Sequence, residues 1–271
     1  MSDISQSSSL REIFESQISR LPDKVALCLS AGIDSIALFS LLLDSKRTVS
    51  VYSFAFDESS HDFRVAKKLA NEANCSFTPV FLPTDLDTLK QDILTLHEKY
   101  KCIKKTDYEC VWPFLYVYPK IKESVIVTGL GAEGHFGTTR KGSIHYKDNL
   151  DAFRALFFAN DNVSQKNQHN LLCSEFNLNP WFPFLTQDVR DWFSGKTWDE
   201  VNKPKAKQPI LDMIKFDIIP KSSNLQCGSG IREHFDKLLN TSWNKHNYKS
   251  IVGIFNDINK GVRFNEMRKL I

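Results

Sequence analysis

Apolar residues in the first half of the chain fall into short runs separated by stretches with helical periodicity. The runs at roughly 25–29, 49–56, 76–82 and 124–128 are bounded by small or polar residues and read as strands. Helices are expected between them at roughly 34–45, 60–74, 84–100 and 110–120, with a further one near 8–20. Strands alternating with helices imply right-handed crossovers and a parallel sheet, which makes the chain α/β. Ligands of such sheets lie beyond the carboxyl ends of the strands, so the loops after 29, 56 and 128 should face one crevice.

The strand signal fades from about 149. Helical candidates at 149–160, 186–194, 206–217 and 230–239 alternate with polar connections such as DNVSQKNQHN and NKPKAKQP. Residues 1–148 therefore read as the α/β region and 149–271 as a helical region covering its crevice, within one domain. No internal repeat or long low-complexity segment interrupts them.

Composition adds bounds. With 42% hydrophobic and 25% charged residues in a chain of 271, a sizeable core can form. The net charge of +3 comes without a long Lys/Arg run, so nucleic-acid binding is neither indicated nor excluded. No window approaches a membrane span, and the start MSDISQSSSL lacks the apolar stretch of a signal peptide, which makes a cytoplasmic location the default. Six cysteines, at 28, 75, 102, 110, 173 and 227, include no C-x-x-C pair, so neither a zinc ribbon nor a thioredoxin-like centre is suggested. Cys28 and Cys75 read as small buried residues rather than nucleophiles.

Two loops carry the candidate chemistry. The first run ends in SAGIDS, residues 30–35, and a greasy helix follows at once. Such a junction aims backbone N–H groups and a helix dipole at one point, which favours an anion such as phosphate. Gly32 and Asp34 could also be turn and cap chemistry alone. The second loop lies in VIVTGLGAEGHFG, residues 125–137, where Gly129, Gly131 and Gly134 spell G-x-G-x-x-G and Asp151 lies downstream. That dinucleotide fingerprint belongs in a first βαβ unit with a helix opening at its third glycine. Here it follows a late strand and leads into GTTRKGSIHYK, which shows no helical periodicity, so the fingerprint is rejected. Asp34 and Glu133 would instead bring two carboxylates to one sheet edge beside an anion site, which is what Mg²⁺ requires.

These residues carry a family resemblance. SAGIDS resembles the S-G-G-x-D-S loop of the PP-loop ATP pyrophosphatases, and TGLGAEGHFG resembles the S-G-x-G-x-D-E-x-F-G-G loop of their asparagine synthetase branch. The stretch VYSFAFDESSHDFRVAKKLANEANCSFTPVFL resembles that branch's second strand, helix and third strand. WFPFLTQDVRDWF is similar to its P-F-L-D segment, and KQPILDMIKFDIIPK to its K-x-x-L-R … L-P … K stretch. The resemblance implies a parallel-sheet PP-loop domain, like the adenine nucleotide alpha hydrolases, with a helical C-terminal half. It also implies ATP and Mg²⁺, adenylation of a carboxylate with release of pyrophosphate, and amide formation with a nitrogen nucleophile. By matching position, Ser30, Gly32, Asp34 and Ser35, with Ala31 between them, would hold pyrophosphate. Adenine would lie near Leu29, Phe54, Thr128 and Gly129. Asp34 and Glu133 would hold Mg²⁺, and Lys207 and Lys221 would neutralise charge on the phosphates.

Departures from the family pattern matter as much. Ala31 replaces a glycine, and Glu133 replaces an aspartate. Leu130 stands where asparagine synthetases carry Glu and β-lactam synthetases Tyr; leucine can neither accept a proton nor orient a nucleophile. His135, in the same loop, is the nearest titratable alternative. With the sheet beginning by about residue 25, no glutaminase domain is expected ahead of it, and ammonia is expected from solution or from a separate supplying partner, unless another amine is used. NLQCGSGIREHF, 224–235, reads either as a mobile lid or as a flexible helix entry. Two other functions stay open: adenylation of a nucleobase carbonyl in tRNA or DNA, and non-catalytic nucleotide binding.

Overall fold

The computed structural model describes residues 8–159, 163, 165–218, 220, 225–243 and 251–261. The elements run α1 (Leu10–Ile18), β1 (Lys24–Cys28), α2 (Ile33–Asp44), β2 (Thr48–Ala55), α3 (His61–Glu72), β3 (Ser76–Phe81), α4 (Leu86–Glu98), α5 (Lys105–Val111), α6 (Phe114–Val117) and β4 (Val125–Val127). Beyond β4 come α7 (Ala132–Phe136), α8 (Arg140–His145), α9 (Leu150–Phe157), α10 (Lys166–Glu175) and β5 (Asn179–Trp181). The chain continues through α11 (Gln187–Phe193), α12 (Trp198–Asn202), α13 (Gln208–Leu211), α14 (Leu225–Gly228), α15 (Ile231–Trp243) and α16 (Val252–Asn259).

Among the described residues five strands form one parallel sheet, in the order β3-β2-β1-β4-β5. The chain lays β2 and β3 to one side of β1 and then returns to lay β4 on the other. That reversal makes the carboxyl ends of β1 and β4 a topological switch point, where connecting loops diverge and leave a crevice. SAGIDS follows β1 and TGLGAEG follows β4, so both candidate loops open into it.

Two apolar layers hold the sheet. On one side α2 packs with α1, α3, Val25 and Leu27 of β1 and Val49 and Val51 of β2. On the other side α4, α5, α10 and α15 close over Ala26, Tyr52 and Ile126. Consecutive strand residues thus alternate between layers, and β1 must be apolar from Val25 onward. α2 is buried on nearly all faces, which is why its sequence is apolar without a polar stripe. Among the described residues no helix is long and apolar enough to cross a membrane.

The first four strands lie within two residues of their expected bounds at either end. Several helices differ from expectation. The segment 110–120 is not one helix: Pro113 and Pro119 divide it into α5, α6 and a short 3-10 turn, since proline lacks the N–H that an uninterrupted helix needs. The helix expected over 206–217 contracts to the four residues of α13, and its start is set by Lys207, which takes a left-handed conformation, φ 61°. GTTRKGSIHYK does form a short helix, α8, nucleated by the Thr139 side chain accepting from Gly142 N–H at 3.1 Å. β5 gave no strand signal, being three residues long with a central proline, and it exists by pairing with β4.

Candidate active site

The first loop is built by β1 and α2. Leu29 N–H still pairs with Tyr52 O at 2.9 Å, and beyond it the chain turns through Ser30, Ala31 and Gly32. Ser30 Oγ lies 3.0 Å from Ser35 Oγ and accepts from Gly32 N–H at 3.1 Å, so the two serines tie the loop across its mouth. Ser35 Oγ also lies 3.1 Å from Gly32 O. Gly32 is the N-cap of α2 and offers no side-chain cap, which leaves the first-turn N–H groups facing the crevice for want of intrahelical partners. Ala31 is absent from the residues with positive φ, so the backbone there needs no glycine and alanine is accommodated.

The second loop meets the first. A Cβ on Gly129 would come within 3.0 Å of Asp34 Cβ, so a glycine is what allows the loops to touch. Gly131 has φ +93°, and a Cβ there would come within 2.0 Å of Leu185 Cδ2. The Thr128 side chain accepts from Leu130 N–H at 3.3 Å, and its own N–H pairs with Trp181 O of β5. Phe54 stands on β2 two residues past Tyr52, the register partner of Cys28, and packs edge-on to Phe114.

Three of the expected site residues converge on one point. Lys207 Nζ donates to Asp34 Oδ1 at 2.9 Å, Asp34 Oδ2 at 2.7 Å and Glu133 Oε1 at 3.0 Å. The lysine side chain is only 4% exposed, against 23% for Asp34 and 32% for Glu133. The ammonium therefore enters from within the protein, while both carboxylates keep a solvent-facing side. Burial works to lower the Lys207 pKa, but the charges and hydrogen bonds of Asp34 and Glu133 outweigh it and hold the amine above its ordinary value. Burial raises the Asp34 carboxyl, with Lys207 opposing and Glu133 adding to the rise.

Neighbours fix this arrangement. Thr138 Oγ1 donates to Glu133 Oε2 at 2.9 Å. Asn202 accepts the Lys207 N–H at 3.1 Å and donates to Phe136 O at 2.8 Å, so one buried amide couples α7 to the turn that carries Lys207. Neither residue has a sequence signature, because each acts through contacts made only on folding. Both carboxylates aim oxygens at a single cation, here an ammonium, and the donors are hard. That suits Mg²⁺ if water and phosphate supply its remaining ligands; among the described residues no third His, Cys, Asp or Glu joins them.

Other expectations change. His135 does not face the crevice: it is fully buried, stacked on Phe193 with centroids 4.4 Å apart, and its Nε2–H donates to Phe184 O at 2.6 Å. Burial lowers its pKa to about 4, which removes it as a base for the site. Leu130 packs beside Phe157 and Phe158 against Val163, Phe182 and Leu185. Burial pushes the Cys28 and Cys75 thiols up, which suits inert packing. Gly230, φ +76°, joins α14 to α15, and His234 of α15 lies 4.3 Å from Phe56 ring to ring, so this part of NLQCGSGIREHF is a packed helix entry beside the end of β2. Lys221 lies outside the described residues.

Residues 8–217 match the model of the asparagine synthase family. Similar solved structures include an NH3-dependent NAD synthetase from Campylobacter jejuni subsp. jejuni NCTC 11168 in complex with the nitrate ion, 16% identical over 78% of this chain and 96% of that one, with a TM-score of 0.34. Another is an NMN synthetase from Francisella tularensis, 13% identical over 89% of this chain and 98% of that one, with a TM-score of 0.30. No curated protein matches the chain.

Proposed function

Since the chain belongs to the asparagine synthase family, we propose that it is an ATP-dependent ligase that adenylates a carboxylate and passes the acyl group to a nitrogen nucleophile. The observation that carries this reading is the meeting of Asp34, Glu133 and Lys207 at the switch point of the sheet.

In the first step a carboxylate oxygen attacks the α-phosphorus of the substrate ATP. The bond from that phosphorus to the bridging oxygen breaks, and pyrophosphate leaves with the electron pair. The loop of Ser30, Ala31, Gly32 and Ser35 and the start of α2 would bind the leaving pyrophosphate through N–H and hydroxyl groups. Leu29, Phe54, Thr128 and Gly129 would line the adenosine end. Asp34 and Glu133 would hold Mg²⁺, which when bound supplies positive charge to the phosphate oxygens. Lys207 would add its own charge at the same place, as would Lys221 from the segment that follows α13.

In the second step a neutral amine attacks the acyl carbon, AMP departs with the electron pair, and the nitrogen loses a proton. Neither Leu130 nor buried His135 can accept it. The amine must therefore arrive neutral or lose its proton to another group, and its ammonia or amine would come from solution or a supplying protein. The helical region 149–271 supplies Lys207 and completes the sheet with β5, so we take both regions as one domain.

The test is release of AMP and pyrophosphate with panels of acids and amines, and with tRNA and DNA as separate arms. Acid-dependent exchange of labelled pyrophosphate into ATP is expected, and it should vanish in Asp34→Asn. Exchange elicited only by nucleic acid would replace the carboxylate with a nucleobase carbonyl, and undiminished exchange in Asp34→Asn would remove that residue from the mechanism.

A further inference from the structure

We propose that Lys207 acts as the resident cation of the metal site, so that Mg²⁺ enters only as the ammonium transfers to an incoming polyphosphate. The proposal rests on the ligase reading for the identity of metal and polyphosphate.

Occupancy comes first. The ammonium lies 2.7 to 3.0 Å from three oxygens of Asp34 and Glu133. Mg²⁺ binds oxygens at about 2.1 Å, so a metal shared by these carboxylates would overlap the ammonium's place. Two carboxylates and one ammonium leave a net charge of −1, and a dication added with the lysine in place would meet its full repulsion.

The lysine is also not free to leave alone. Its side chain is 4% exposed, and a buried charge stripped of its partners is strongly disfavoured. Its backbone is anchored by φ 61° and by the bond to Asn202, so the side chain can swing while its base stays fixed. An acceptor is close at hand: Asp34 is in the first turn of α2, beside the N–H groups that would seat phosphate. A polyphosphate bound there would offer the ammonium a new anion and release the carboxylates to the metal from their exposed side. Lys207 thereby couples metal and polyphosphate binding, and coupling of this kind is reciprocal.

Mn²⁺, followed by electron paramagnetic resonance on the full-length protein, tests this without turnover. Wild type should bind Mn²⁺ weakly by itself and more tightly with inorganic pyrophosphate, after correction for Mn²⁺–pyrophosphate complexes in solution, but not with adenosine. Lys207→Met should bind one Mn²⁺ without pyrophosphate at least ~10-fold more tightly than wild type, and the added Asp34→Asn change should abolish that gain. Equal affinities in wild type and Lys207→Met, or a gain that survives Asp34→Asn, would overturn the proposal. If Lys207→Met fails to fold, wild type decides: Mn²⁺ binding that is as tight without pyrophosphate as with it rules out the resident cation. Failure of the ligase reading looks different, because Mn²⁺ behaviour would be as described while no acid supported pyrophosphate exchange.

Discussion

At the scale of single residues, the site depends on a few side chains whose type follows from what touches them. Gly131 combines a left-handed backbone with a Leu185 methyl where its Cβ would be. Gly131→Ala should therefore lower stability by more than about 2 kcal/mol in urea titration. Leu185→Ala should recover only the steric share of that loss, the backbone share remaining. Leu130 is half-buried among Phe157, Phe158, Phe182 and Leu185. Leu130→Glu sets a carboxylate against apolar carbon and should cost on the order of 1–3 kcal/mol, whereas Leu130→Met should cost less than about 1.5 kcal/mol. If Leu130 lies beside the acyl group and not the phosphates, Leu130→Glu should alter amide formation while sparing pyrophosphate exchange. Loss of exchange with an unchanged ratio of half-reactions would show that Leu130 packs on the nucleotide instead.

At the scale of elements, α7 is the piece that joins the candidate loops to the helical half. Arg154 of α9 donates twice to His135 O, at 3.0 and 3.1 Å, while Asn202 at the end of α12 holds Phe136 O. Glu133 is one turn away on the same short helix, so its position is set by partners 20 to 70 residues distant. Asn202→Leu leaves both Phe136 O and Lys207 N–H without this amide, at about 1–3 kcal/mol for each buried group left unsatisfied. It should weaken pyrophosphate binding more than adenosine binding, measured by calorimetry; equal losses of both would mean that Asn202 supports the fold without positioning Lys207. The buried character of α2 was legible because it is local, whereas the break at Pro113 was passed over in favour of the helical period of 110–120. α10, α12 and β5 were not, since each is short or polar and is held by packing.

At the scale of the whole molecule, acid should act on both layers at once. His135 lies in the layer with α2, and His169 of α10 in the opposite one, its Nδ1 2.6 Å from the Tyr118 hydroxyl. Burial lowers each to about 4, from an ordinary value of 6.5. The unfolded chain then binds protons at a pH where the folded one does not, so stability is full above pH 6.5 and declines as pH falls towards 4. Each histidine contributes on the order of 3 kcal/mol over that window. Denaturant titration should show a clear loss from pH 7 to pH 5, partly relieved in His169→Phe. A flat profile over that range would mean that neither ring is buried neutral.

The sequence alone determined the strand–helix alternation, the parallel class and both loops, because hydrophobic period, glycine spacing and helix starts are written over a few adjacent residues. It also supplied Asp34, Glu133 and Lys207 as candidates through the motifs that hold them. Tertiary structure decided what those motifs meet. The order β3-β2-β1-β4-β5 places loops some 100 residues apart at one crevice, and Gly129 lets them touch. His135 could be read from its loop as a solvated base, yet burial between Phe158 and Phe193 makes it a neutral packing group. Lys207 was a candidate only through the family motif that holds it, within a polar connection, and the fold is what drives its ammonium between two carboxylates.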